Sequence, residues 1–339
     1  MKFRKAIFTG LLLLAGGCAV AQQSIYTRLD SLLAAKNMRD FSGVVLIAQN
    51  GKPLYAKAMG YANRDTKEPV TMDSHFVIMS VSKQITAALV LKEVEKGHID
   101  LQKRLRTYLP DLKDKWGDSV TIHQLLNHTS GVVWYDQPLA FTPGYQLAYS
   151  NFGYVLLQSV LEHVTGKAYT ILLKDLFQQT RMPNSGVPPR IKPITGYQES
   201  KNGQLQAKTD PVPEMLLGAA GVVSTAADLV RWNELLNNGK LLSEAMYKDM
   251  TTAYSPRQHP VVGKTGGGYG LMINADKSEI GHTGFLPEQG FIGINFYYPA
   301  THSSIVVLEN IGSNPANMER AYYFEKTIHD IVLPVVIGK

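Results

Sequence analysis

The sequence predicts an α+β fold: an antiparallel sheet built from both chain ends and flanked by terminal helices, with a large all-helical lobe inserted between its halves. Three observations carry this. Strand patterns joined by an Asn50-Gly51 turn stand near the beginning, and a second set of strand patterns stands near the end. Helical periodicity fills most of the sequence between them. An amphipathic segment precedes the first strands and another follows the last, so each end brings a helix to cover the sheet.

Taken in order, Ile25, Leu29, Leu32 and Leu33 recur at helical spacing and form the first helix. Gly43–Ala48 and Leu54–Tyr61 follow as strands. Asn50-Gly51 between them suits a tight turn whose two central residues need positive φ, which makes the pair a β-hairpin. Gln84–Lys96 reads as a helix stopped by Gly97, and Tyr154–Val164 and Ala227–Leu236 end similarly near Gly166 and Gly239. Asn202-Gly203 marks one small surface hairpin. Gly290–Tyr298 and Ser304–Glu309 return as strands around the turn at Pro299–His302, and Met318, Tyr322, Ile328 and Ile331 give the last helix. The expected division is one unit over 22–339, with an α/β lobe of 22–74 plus 256–339 and a helical lobe of 75–255. A cleft between such lobes is a natural catalytic position.

Residues 1–21 are set apart from this fold. Lys2, Arg4 and Lys5 form a basic start, an apolar stretch runs to Leu14, and Ala19-Val20-Ala21 supplies a small-x-small cleavage site. This is the pattern of a secretory signal peptide, too short to span a bilayer. Export to the periplasm or outside, with cleavage near Ala21, is therefore expected. Leu14–Cys18 matches a lipoprotein site less well, because Ala15 stands where a large aliphatic residue is usual. Cys18 is the only cysteine, so no internal disulfide forms. The leader carries three of the six net positive charges, and the remaining excess includes no long basic run. Nucleic-acid binding is not expected, and no later apolar stretch is long enough to span a membrane. The oligomeric state is left open.

Ser80-Val81-Ser82-Lys83 opens the Gln84–Lys96 helix. Three residues apart, the hydroxyl and ammonium share one helical face, and a helix start favours an oxyanion on the serine. Lys83 can take a proton only if burial or a nearby cation keeps it partly neutral. Such a tetrapeptide arises by chance about once in a chain of this size, and its plain reading is a helix cap beside a solvated lysine. Tyr149-Ser150-Asn151 adds a phenol able to relay protons and an amide able to hold a substrate carbonyl, although Asn151 also suits capping of the helix it precedes. His282-Thr283-Gly284 adds an imidazole and a hydroxyl for the polar end of a substrate, with a glycine that lets it approach the strand edge.

In this order the three motifs resemble the serine β-lactamase-like and penicillin-binding-protein family, of the class C β-lactamase and D-alanyl-D-alanine carboxypeptidase type. The resemblance extends through Gly60–Arg64, Tyr108–Asp111, Leu125–Gly131, Gly221–Leu229 and Tyr269–Leu271. It implies a β-lactamase/transpeptidase-like fold without cofactor or metal. Ser80 is then the nucleophile, Lys83 and Tyr149 share the proton transfers, and Asn151 holds the substrate amide. The resemblance also assigns the backbone N–H groups of Ser80 and Phe285 to the oxyanion, and His282, Thr283 and Gly284 to the substrate's polar end. Two lookalikes are set aside: Tyr61-Ala62-Asn63 precedes Ser80, and Lys264-Thr265-Gly266 runs into Gly267-Gly268-Tyr269-Gly270, so Lys264 is expected in a loop at the cleft rim. Gln179–Met182 and Gly218–Gly221 depart from the family's usual residues.

His123 and His128 are five residues apart, which does not place them on one helical face, and no zinc site is expected. Trp134, Tyr135 and Asp136 suit either the lining of the cleft or ordinary loop packing. The expected activity is hydrolysis of an amide or ester through an acyl-enzyme at Ser80, D,D-peptidase or esterase ahead of a dedicated β-lactamase. The substrate is then a small molecule or peptide, cell-wall fragments included. The alternative is a penicillin-binding or sensor module that acylates without efficient turnover.

Overall fold

The computed structural model describes residues 24–314 and 316–337. The expected leader and Cys18 lie outside the described residues. In chain order the main elements are helix α1 (24–34), strands β1 (Gly43–Gln49) and β2 (Lys52–Met59), and helices α2 (Ser82–Glu95), α3 (Asn151–Thr165), α4 (Tyr169–Gln179) and α5 (Ala226–Asn237). Strands β3 (Ser255–His259), β4 (Gly263–Gly267), β5 (Met272–Ile273), β6 (Ile280–Leu286), β7 (Phe291–Tyr298) and β8 (Ser303–Glu309) follow, and helix α6 (Tyr323–Val336) comes last.

The eight strands make one antiparallel sheet in the order β2-β1-β8-β7-β6-β5-β4-β3. The early hairpin is therefore joined to the late strands by the β1–β8 ladder, in which Val45 stands opposite Val307. Asn50 and Gly51 have φ of 50° and 72°, the geometry a two-residue turn of this kind demands. Alternation along the strands sends side chains to opposite faces. Val45, Ile47, Ile305 and Val307 pack against Leu29 and Leu33 of α1 and Ile328 and Val332 of α6. Val44, Leu46, Val306 and Leu308 face the other way, into the core shared with α2, α3 and α5.

The middle of the chain is mainly helical but not wholly so. Phe76–Val77 pairs with Val223–Ser224, and the Asn202-Gly203 hairpin joins Gly196–Glu199 to Leu205–Lys208, where Ile311–Gly312 adds a parallel strand. Helices α2 and α3 end as expected, with Gly97 and Gly166 at φ of 75° and 65°. At the opposite side of the sheet Arg39 bonds both carboxylate oxygens of Glu309 at 2.7 Å and reaches Glu325 at 3.2 Å. That buried triad ties the segment before β1 to β8 and α6.

One edge of the sheet is open where it matters for the site. Strand β6 pairs with β7 along its whole length, but β5 covers its other edge only at Ile280 and Gly281. From His282 onward that edge turns instead to the segment before α2. A Cβ on Gly284 would come within 2.8 Å of Met79 Cε and 3.0 Å of the Ile78 carbonyl oxygen, so only glycine allows the two segments to touch.

Candidate active site

Ser80 lies in a single tight turn, Met79–Val81, that runs directly into α2. Its side chain makes no capping bond, so the plain reading of Ser80 as a helix cap does not hold. Met79 is fully buried at φ of 50°, a left-handed conformation that costs an ordinary residue about 1–2 kcal/mol. The surrounding packing imposes this bend. The Ile78 N–H bonds the Val222 carbonyl, and Gly284 closes on Met79 from the other side.

Lys83, one turn after Ser80, is completely buried. Its Nζ lies 3.2 Å from Ser80 Oγ, 2.8 Å from Asn151 Oδ1 and 2.7 Å from the Ala219 carbonyl oxygen. No carboxylate is among these partners. Burial, reinforced by the charge of Arg257, pushes the Lys83 pKa well below its ordinary value. Tyr149 Oη donates to Ser80 Oγ at 2.7 Å, and burial raises the phenol's pKa to about 12, so it carries its proton. The serine hydroxyl thus stands between an amine that disfavours a proton and a phenol that retains one.

Helix α3 delivers the second motif. Ser150, in extended conformation, is the residue that caps it, accepting from the Gly153 N–H at 3.1 Å. Asn151 is already helical and turns its oxygen to Lys83, which corrects the expectation that it would cap. His128 supports this corner: its ring lies 4.4 Å from that of Tyr149, and its Nδ1 accepts the Ser150 N–H at 3.2 Å. His123 has other partners, Tyr269 Oη at 2.6 Å and Asn127 at 3.0 Å.

The third motif lies on the open edge of β6. The His282 ring is buried, 6.1 Å from the Tyr149 ring, and its Nδ1 is 2.5 Å from the Thr283 carbonyl. Burial, with Arg257 and Lys83 nearby, holds the imidazole pKa well below its usual value, so this position carries no charge at neutral pH. Thr283 Oγ1 is 3.0 Å from His259 Nε2. Lys264 is exposed on β4, two strands removed from β6, rather than in the expected loop. Trp134 and Tyr135 pack on Phe152 with ring centroids 4.6 and 4.7 Å apart, beside the start of α3.

Two residues of the site escaped the sequence reading. Strand β3 points Arg257 and His259 inward, two positions apart, while Pro256 and Gln258 are exposed. The Arg257 guanidinium carbon sits 4.6 Å from the centre of the Tyr149 ring, a cation–π contact beside the phenol that bonds Ser80. The only sequence signal was the period-two alternation of Ser255–His259, which does not tell which face meets the cleft.

The beta-lactamase family profile matches residues 29–328. A putative penicillin-binding protein of Bacillus subtilis (strain 168) is 25% identical over 300 residues, covering 81% of this chain and 72% of the relative. An esterase of Burkholderia gladioli is 36% identical over 115 residues, 32% of this chain and 29% of its own. The crystal structure of a D-amino acid amidase from Ochrobactrum anthropi SV3, complexed with L-phenylalanine amide, superposes with a TM-score of 0.76. It covers 92% of this chain and 97% of that one at 23% identity, a likeness of fold alone.

Proposed function

The chain belongs to the beta-lactamase family, and within it we propose an exported serine hydrolase that forms an acyl-enzyme at Ser80 and hydrolyses an amide or ester. The observation that carries this reading is the placement of Ser80 Oγ between Lys83 Nζ at 3.2 Å and Tyr149 Oη at 2.7 Å. Residues 22–339 act as one catalytic unit in this reading.

A neutral Lys83 amine has two N–H bonds and one lone pair. The N–H bonds go to Asn151 Oδ1 and the Ala219 carbonyl, which leaves the lone pair for the Ser80 hydroxyl. Lys83 takes that proton as Ser80 Oγ attacks the substrate carbonyl, and the oxyanion is held by the N–H groups of Ser80 and Phe285. The lysine proton passes through Tyr149 to the leaving amine or alcohol, whose bond to the acyl carbon breaks. A water then attacks the ester, losing its proton to the same pair while Ser80 regains its own.

Asn151 keeps its amide N–H groups for the substrate. With His282 uncharged, Arg257 is the fixed positive charge near the open edge, which favours a substrate bearing a carboxylate close to the scissile bond, met also by Thr283. Peptides ending in a D-amino acid fit this, and small esters remain within the chemistry, in keeping with the penicillin-binding and esterase relatives.

The test is labelling with a fluorescent penicillin and a fluorophosphonate, comparing wild type with Ser80→Ala. Ser80-dependent label followed by turnover of an ester or D-peptide is the expected result. Absence of label with both probes would remove Ser80 as nucleophile. Label without turnover of any ester, D-peptide or β-lactam would make the protein a sensor. Replacement of Lys264 by alanine should cost less than replacement of His282.

A further inference from the structure

Strand β3 lies at the edge of the sheet, yet its inward residues reach the centre of the site. His259 is buried and makes two bonds that together fix its tautomer. Its Nδ1 accepts the Val261 backbone N–H at 3.2 Å, so Nδ1 carries no proton. The proton of the neutral ring therefore sits on Nε2, which lies 3.0 Å from Thr283 Oγ1 and donates to it. Burial and the charge of Arg257 bring the His259 pKa down to about 3, so this neutral form persists across ordinary pH.

Donation from His259 fixes the role of the Thr283 hydroxyl. An oxygen that accepts from one side must send its own hydrogen elsewhere, away from the imidazole. In the structure it goes toward Met272 Sδ at 3.8 Å, a weak acceptor, while the Tyr322 ring stands edge-on to His259 at 5.3 Å. Arg257 lies two residues before His259 on the same face of the strand, with its guanidinium 4.6 Å from the centre of the Tyr149 ring, so one strand face presents both the guanidinium and the imidazole that holds this hydroxyl.

We propose that His259 is a positioning residue: it holds the Thr283 hydroxyl as a hydrogen-bond donor toward a substrate carboxylate placed beside Arg257. This rests on the serine hydrolase reading of the site. An arriving carboxylate oxygen takes the hydroxyl hydrogen from the Met272 sulfur, and His259 keeps the donation one-way. Without the imidazole, Thr283 is free to rotate and to present lone pairs to an anion.

The test uses a thioester substrate with a thioglycolate leaving group and the methyl ester of the same compound, which lacks the negative charge. Wild type should prefer the free carboxylate. His259→Leu should raise KM for it about tenfold, the scale of one hydrogen bond to a charged group, with kcat nearly kept and the methyl ester within about twofold. His259→Gln, whose amide can still donate, should recover most of the loss. In a Thr283→Val background the His259→Leu effect should disappear. Equal losses on both substrates, no preference for the carboxylate in wild type, or additive double-mutant losses would overturn the proposal. So would nitrogen NMR of labelled histidine showing His259 protonated at Nδ1. A wild type that turns over neither thioester and takes no Ser80 label would instead remove the hydrolase reading itself.

Discussion

Arg39, between the sheet and α6, and Lys83, at the start of α2, are buried to similar degrees, 5% and 0% exposed. Arg39 meets the bidentate Glu309 carboxylate and the carboxyl group of Glu325, and its positive charge is reinforced chiefly by Glu309. Lys83 meets an amide oxygen, a backbone carbonyl and a serine hydroxyl, with another cation, Arg257, close enough to repel it. The same burial therefore fixes a proton in one place and dislodges it in the other. A compensated charge holds chain segments together, whereas an uncompensated one is available for chemistry.

The largest expected effect comes from removing the uncompensated partner. Lys83→Met should lower the rate of Ser80 acylation by about a hundred- to ten-thousand-fold, measured by fluorophosphonate labelling, while leaving the fold intact. The same variant should be more stable than wild type to urea at neutral pH. Because the folded pKa of Lys83 is depressed, the unfolded chain binds the extra proton. That penalty is complete below the folded pKa, shrinks as pH rises through it, and is gone above 10.5. A stability gap that did not change with pH would break the contrast.

Removing a compensating partner should do the reverse. Glu309→Gln leaves Arg39 without its bidentate carboxylate and should cost about 3–5 kcal/mol in urea denaturation, with Ser80 labelling per folded molecule unchanged. Glu325→Gln should cost less than about 1 kcal/mol. Burial and the neighbouring Glu309 raise the Glu325 pKa well above the carboxylate range, so the native group is already an acid and the amide resembles it. Equal costs for the two variants would show that both carboxylates are charged.

The smallest effect concerns His329, whose Nε2 bonds Glu279 at 3.0 Å. The pair raises the imidazole pKa above 6.5, so its contribution is complete below that value and disappears as pH rises through the folded pKa. His329→Gln should be less stable than wild type in acid and equal to it in alkali, by thermal melting at several pH values.

Local signals were legible in the sequence and assembled ones were not. Asn50-Gly51, Gly97 and Gly166 announce their turns because backbone sterics act within a few residues. Ser80, Lys83 and Tyr149 were legible because α2 and α3 each present a short motif at an element start. Arg257 and His259 were not, since their place depends on how β3 and β4 fold over the cleft. The glycines after Lys264 suggested a loop, yet a Cβ on Gly266 would meet that of Ala253 at 2.3 Å, so they serve close packing. Ser150 and Asn151 are equally able to cap a helix, and only the extended backbone at Ser150 decides between them.

The pairing of β1 with β8 has a consequence for how the protein is made. Residue 43 emerges early in synthesis, but its ladder partner is residue 309, and the site gathers Ser80, Tyr149, Arg257 and His282 from well-separated stretches. The sheet cannot close, nor the lysine lose its water, until nearly the whole chain is available. A nascent chain thus carries a serine that is chemically ordinary. The arrangement around that hydroxyl is acquired only at the end of folding, which leaves the serine inert while the chain is still being made.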